Sequence, residues 1–117
     1  MPYIDGFVTP VPTGKKNQYI AHTIKATEVL KENGALRVVE CWGDDIPKGK
    51  VTSFPMAVQC KADETVVLSW MVWPSKAVRD SGWEKIMKDP RTTDQVNPTP
   101  FDGKRLIYGG FEMILEL

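Results

Sequence analysis

The stretch Thr65-Val66-Val67-Leu68-Ser69-Trp70-Met71-Val72-Trp73 decides the fold. β-Branched and aromatic residues dominate it, the composition of a strand. Successive strand side chains point to opposite faces. Val66, Leu68, Trp70 and Val72 therefore share one face, and Val67, Met71 and Trp73 the other. Both faces are apolar. A strand in an antiparallel sheet with one wet face alternates apolar with polar instead.

Working toward the C-terminus, Pro74-Ser75 marks a helix start with Ser75 as its cap. Val78, Gly82, Trp83, Ile86 and Met87 give that helix a stripe to bury, running to Lys88. Asp89-Pro90 ends it, because a residue before proline avoids the helical region. Residues 91–100 are polar and read as loop, and Phe101-Asp102-Gly103-Lys104 reads as a turn. Arg105 to Leu115 is the last strand, apolar on both faces, with a bulge expected at Gly109-Gly110.

Toward the N-terminus, Met56 to Cys60 reads as a short extra strand, and residues 43–54 as loop punctuated by Asp44-Asp45, Pro47 and Gly49. Ala35 to Trp42 is a strand. Lys15 to Asn33 changes period: Tyr19, Ile20, Thr23, Ile24, Ala26, Thr27 and Leu30 fall on a helical stripe, which Asn33-Gly34 stops. Tyr3 to Val11 is the first strand, ended by Pro10 and Pro12, with Thr13 placed to cap the helix.

The resulting order, β-α-β-β-α-β, is the ferredoxin-like pattern of an α+β protein: one antiparallel sheet with both helices on one face. The other face should meet water, yet its residues are apolar. The expected solution is a second copy stacked on it, a homodimer closed by two-fold symmetry into a barrel of two chains.

Size and charge narrow the function classes. The chain has 117 residues and is expected to form one domain over 1–117. A folded monomer of its mass exposes roughly 6,400 Å², about a third of what the unfolded chain exposes. Fifteen basic and fifteen acidic side chains cancel, which argues against a sequence-independent grip on nucleic acid or on an anionic membrane. The start lacks a basic segment followed by an apolar stretch, and no apolar run reaches the ~20 residues of a spanning helix. A cytoplasmic location is the expectation. Cys41 and Cys60 lack C-x-x-C spacing and are expected as free thiols.

Several segments together resemble one family. They are Tyr3-Ile4-Asp5-Gly6-Phe7-Val8, Gly34 to Trp42, Gly49-Lys50-Val51-Thr52, Pro74-Ser75-Lys76 with Arg79-Asp80, Asp89-Pro90-Arg91, and Phe101 to Arg105 with Ile107 to Phe111. Over nearly its whole length the chain is similar to the YbaA-like bacterial family, domain-of-unknown-function family 1428. That resemblance implies the dimeric α+β barrel superfamily, hence the same fold and dimer. The superfamily includes cofactor-free monooxygenases, haem enzymes and small-molecule-binding proteins, and the family resemblance itself assigns no activity. Trp83 stands where relatives often carry asparagine, and Thr92 to Thr99 departs from a usual methionine-containing loop.

The candidate ligand-binding residues are Asp5, His22, Arg37, Glu40 and Trp70. Asp5 and Glu40 are acidic residues on otherwise apolar strands. If buried, each needs a partner, for which Arg37 or Arg105 would serve. His22 flanks the stripe of the first helix, a position that suits either a partly exposed surface residue or one aimed toward a pocket between helix and sheet. Being the only histidine, it excludes an all-histidine metal site within one chain. No metal and no cofactor is expected, and no residue is assigned a catalytic role. Cys41 as a nucleophile paired with His22 is a minor reading. The aromatic residues suit a small-molecule pocket as well as a core. Two readings of function follow: a pocket between sheet and helices that binds or transforms a small organic molecule, or a structural protein without a pocket. RNA binding is weaker still, because the third strand carries no basic residue.

Overall fold

A computed structural model describes residues 1–117. Its main elements are β1 (Tyr3–Pro12), α1 (Lys16–Glu32), β2 (Arg37–Trp42), a one-turn α2 (Phe54–Ala57), β3 (Glu64–Trp73), α3 (Lys76–Ile86) and β4 (Ile107–Glu112). The sheet order is β2-β3-β1-β4 with every neighbouring pair antiparallel. This is the ferredoxin-like arrangement. β3 and β1, the two longest strands, occupy its centre.

The register sorts the side chains. Asp5 lies opposite Met71, Phe7 opposite Ser69 and Thr9 opposite Val67. Val38 and Glu40 extend that face onto β2, and Tyr108 onto β4. This is the face the helices cover. Its core joins Val29, Leu30 and Ala35 at the end of α1 to Met71 and Trp73 of β3 and Ile86 of α3. A smaller cluster of Val11, Tyr19 and Val67 lies toward the other end. Burying the 0%-exposed Trp73 contributes about 3 kcal/mol at least, on the scale of a large apolar side chain. Gly82 of α3 lies against Trp73, where a Cβ would sit 2.8 Å from the indole.

The opposite face carries Ile4, Val8, Leu68, Trp70, Val72, Ile107 and Phe111, with charge only at its margins: Arg37 at the β2 edge and Glu64, paired with Arg105, at the start of β3. Gly6 and Gly109 lie opposite each other there, and the Phe111 ring rests over both. Leu68 is 41%, Ile107 44% and Phe111 59% exposed. Residues 43–63 cover one corner only: Ile46 and Phe54 close a recess of about 150 Å³ with Cys41, Val66 and Leu68.

Several local expectations are corrected. Pro10 and Pro12 continue β1 rather than end it. Beyond Val8 that strand pairs only with β3, and the Thr13 N–H still donates to Asp63 O at 2.9 Å. By strand parity both prolines aim their missing N–H at the unpaired side, where none is needed. Thr13 caps nothing: its hydroxyl meets Thr65 Oγ1 at 2.8 Å, while a short 3₁₀ turn (Thr13–Lys15) leads into α1. The expected strand at Met56 to Cys60 is α2 instead, because Ser53 Oγ accepts from the Met56 N–H and Pro55 fits a first turn. β4 is shorter than Arg105 to Leu115, and its pairing with β1 runs unbroken through Gly109-Gly110. These glycines serve close approach. A Cβ on Gly110 would collide with the Tyr3 ring and lie 2.9 Å from Arg79 Nη2. Met87, expected in the buried stripe of α3, is 79% exposed. Ser75 does cap α3, accepting from the Val78 N–H at 3.2 Å.

Candidate functional site

The helices do not fill the face they cover. An outer chamber of about 470 Å³ lies between α3 and the β1–β4 side of the sheet, with Asp5, Arg79, Trp83 and Tyr108 in its lining. An inner recess of about 170 Å³ lies between α1 and the sheet, and reaches Tyr19, His22 and Glu40. Phe7, Trp83 and Leu106 line both and form the wall they share.

Asp5 is the fixed point of the outer chamber. Its side chain is 4% exposed, so its charge must be met by donors. Arg79 Nη2 donates to Oδ1 at 2.8 Å and Nε to both oxygens at 3.1 and 3.2 Å. The indole N–H groups of Trp73 and Trp83 donate to Oδ2 at 2.9 and 2.8 Å. The partner is thus Arg79 of α3, not Arg37 or Arg105. Arg79 also donates to Asp80 at 2.9 Å, and Lys76 donates to Asp80 at 2.8 Å. Two carboxylates and two cations balance locally. The Tyr3 ring lies 5.2 Å from the guanidinium carbon, and hydrogen bonding to Asp5 raises the guanidinium's already high pKa.

Glu40 is the polar group of the inner recess. It stands on edge strand β2, where the residue is accessible, and turns its carboxylate inward to accept from the buried Tyr19 hydroxyl on Oε1. Burial raises its pKa, and the Tyr19 and Ser69 hydroxyls pull it partly back. Burial, reinforced by Glu40, raises the Tyr19 phenol in turn. His22 lines the same recess. Asn97 Nδ2 donates to the His22 backbone oxygen at 3.0 Å, so Asn97 Oδ1 is the acceptor for His22 Nδ1–H at 3.0 Å. That clamp ties the 91–100 loop to α1, and the ring edges onto Phe101.

The five sequence candidates divide. Asp5 lines the outer chamber; His22 and Glu40 line the inner recess. Arg37 and Trp70 stand on the opposite face, Arg37 beside Val72 and Trp70 between Gly6 and Val39. Neither reaches the cleft. Cys41 shares their face and is separated from His22 by the sheet. The structure adds Arg79, Trp83 and Tyr19 to the site. A signal existed for the first two: they are i and i+4 on one helix, so they project the same way.

Comparisons with known proteins agree with one another. The model for "Protein of unknown function (DUF1428)" matches residues 2–103. The uncharacterized protein YbaA of Escherichia coli (strain K12) is 53% identical over 116 residues, 99% of each chain, and that of Shigella flexneri matches equally. Among solved structures, a protein from an uncultured marine organism, described as a dimeric ferredoxin-like protein, superposes with a TM-score of 0.64 over 100% of both chains at 11% identity.

Proposed function

The chain belongs to the DUF1428 family of proteins of unknown function, and within it we propose a homodimeric small-molecule-binding protein whose ligand sits in the cleft between sheet and helices. The cleft carries this reading. A chamber of about 470 Å³ lies within the range of ligand sites, and aromatic walls with a few convergent polar groups are what such sites contain. The polar groups are held in place before any ligand arrives: Asp5 fixes Arg79 and both indoles, and Glu40 fixes Tyr19. Groups preorganised in this way cost little further ordering on binding.

The dimer rests on area and shape. One chain exposes 7881 Å², about 1,500 Å² more than the roughly 6,400 Å² typical of a monomer of its mass. It is a slab of 38 × 38 × 21 Å: one sheet and one helix layer. The uncovered sheet face is apolar except at its margins, where Arg37 and the Glu64–Arg105 pair lie. A stable interface takes about 800 Å² per partner, so sheet-to-sheet pairing of that size would cover about half of the excess. The structural neighbour is itself described as dimeric.

The test is a thermal-shift screen against small metabolites and aromatic compounds. A true ligand at about 100 times its Kd adds about 2.7 kcal/mol and raises the melting temperature. It should do so less in Trp83→Ala, which removes part of the shared wall. If no compound shifts the protein, or if every shift survives in that variant, the reading is wrong.

A further inference from the structure

The geometry points to the inner recess as a site for a small aromatic ligand that donates a hydrogen bond through an N–H or O–H group to Glu40 Oε2, and that carries no negative charge. This rests on the cleft being a ligand site, and adds the chemistry of the ligand.

The charges facing the recess carry the argument. No lysine or arginine lines it. Glu40 on β2, with Tyr19 and His22 on α1, are its titratable groups; β1 and β3 contribute the neutral hydroxyls of Thr9 and Ser69. Tyr19 spends its only donor on Glu40 Oε1, and the Ser69 hydroxyl is the one other donor beside the carboxylate, so Oε2 keeps capacity to accept from a ligand. His22 Nδ1–H is committed to Asn97. The cation of the outer chamber, Arg79, is also engaged, with Asp5 and Asp80. An incoming anion would meet a carboxylate and no free cation, whereas a donor would gain a charge-assisted hydrogen bond. Phe7, Trp83 and Phe101 supply aromatic walls, and about 170 Å³ fits a single ring.

The test uses three probes of one size, phenol, benzylamine and benzoate, followed by NMR titration of the tryptophan indole N–H signals at about pH 8, above the ordinary carboxylate range. In the wild-type protein benzylammonium is expected to bind at least about tenfold more tightly than benzoate, with phenol between them. In Glu40→Gln the ratio should fall to within about threefold while phenol still binds, which also shows that the recess survives. Benzoate binding as tightly as benzylammonium in the wild type overturns the inference, whatever the variant does. An unchanged ratio in a Glu40→Gln protein that binds phenol overturns it too, and leaves the cleft standing as a ligand site. If none of the three probes binds, the inner recess is not a ligand site and both readings lose it.

Discussion

Two carboxylates hold the cleft in different ways, and their removal should differ accordingly. Asp5 accepts from a guanidinium and two indoles. Asp5→Ala strands all of them, and breaking such a buried pair costs about 3 kcal/mol or more. Urea unfolding measures this; a loss below about 1 kcal/mol would show that the cluster contributes little. Glu40 and Glu64 should respond to pH with opposite signs. The paired guanidinium of Arg105, at 2.6 Å to each oxygen, lowers the Glu64 pKa in the folded chain. Its contribution is present above the ordinary carboxylate range and is lost as pH falls through the lowered value. Burial raises Glu40. Its contribution is present at low pH and is lost as pH rises through the raised value. In stability curves against pH, Glu64→Gln should flatten the acid limb. Glu40→Gln should remove a decline just above the ordinary carboxylate range. The same slope in both variants would contradict the assignment. The sequence shows that Asp5 and Glu40 are unusual on their strands, but not their partners. Arg79 lies 74 residues from Asp5, and only the placement of α3 over the sheet brings the two together.

At the level of elements, helix and strand periods carried the fold. Ser75 capping α3, the stop at Asn33-Gly34 and the double-faced β3 are local properties, so they are legible locally. Gly109-Gly110 was not, because two adjacent glycines read as a bulge unless the neighbouring strand and helix are known. Their pairing with β1 is regular, and Gly110 is small because Tyr3 and Arg79 occupy the space a Cβ needs. Gly110→Ala should therefore cost about 1–3 kcal/mol, as overpacking does, and should weaken ligand binding by displacing Arg79. A Gly110→Ala protein with wild-type stability by urea unfolding would mean that the chain yields there freely. α2 is ambiguous in the sequence for a similar reason. Its residues are apolar, and only the Ser53 cap with Pro55 separates one helical turn from a short strand.

For the whole molecule, a single sheet serves two sides. The helix side holds a core and a cleft, and the bare side is apolar with nothing of its own chain over most of it. The sequence contained both facts in Val66 to Trp73, whose two faces cannot both be wet. It did not show that residues 43–63 cover only one corner, since loop paths depend on few and weak contacts. If the bare face is a partner's site, a charge at its centre should separate the copies. Leu68→Asp, at a residue 41% exposed in the single chain, should be tolerated by the protomer and not by the interface. The most direct measurement is the mass in solution by light scattering at micromolar concentration. The wild-type protein is predicted at about twice 13.2 kDa and Leu68→Asp at the protomer mass with its helix content kept. A wild-type protein at 13.2 kDa would contradict the account.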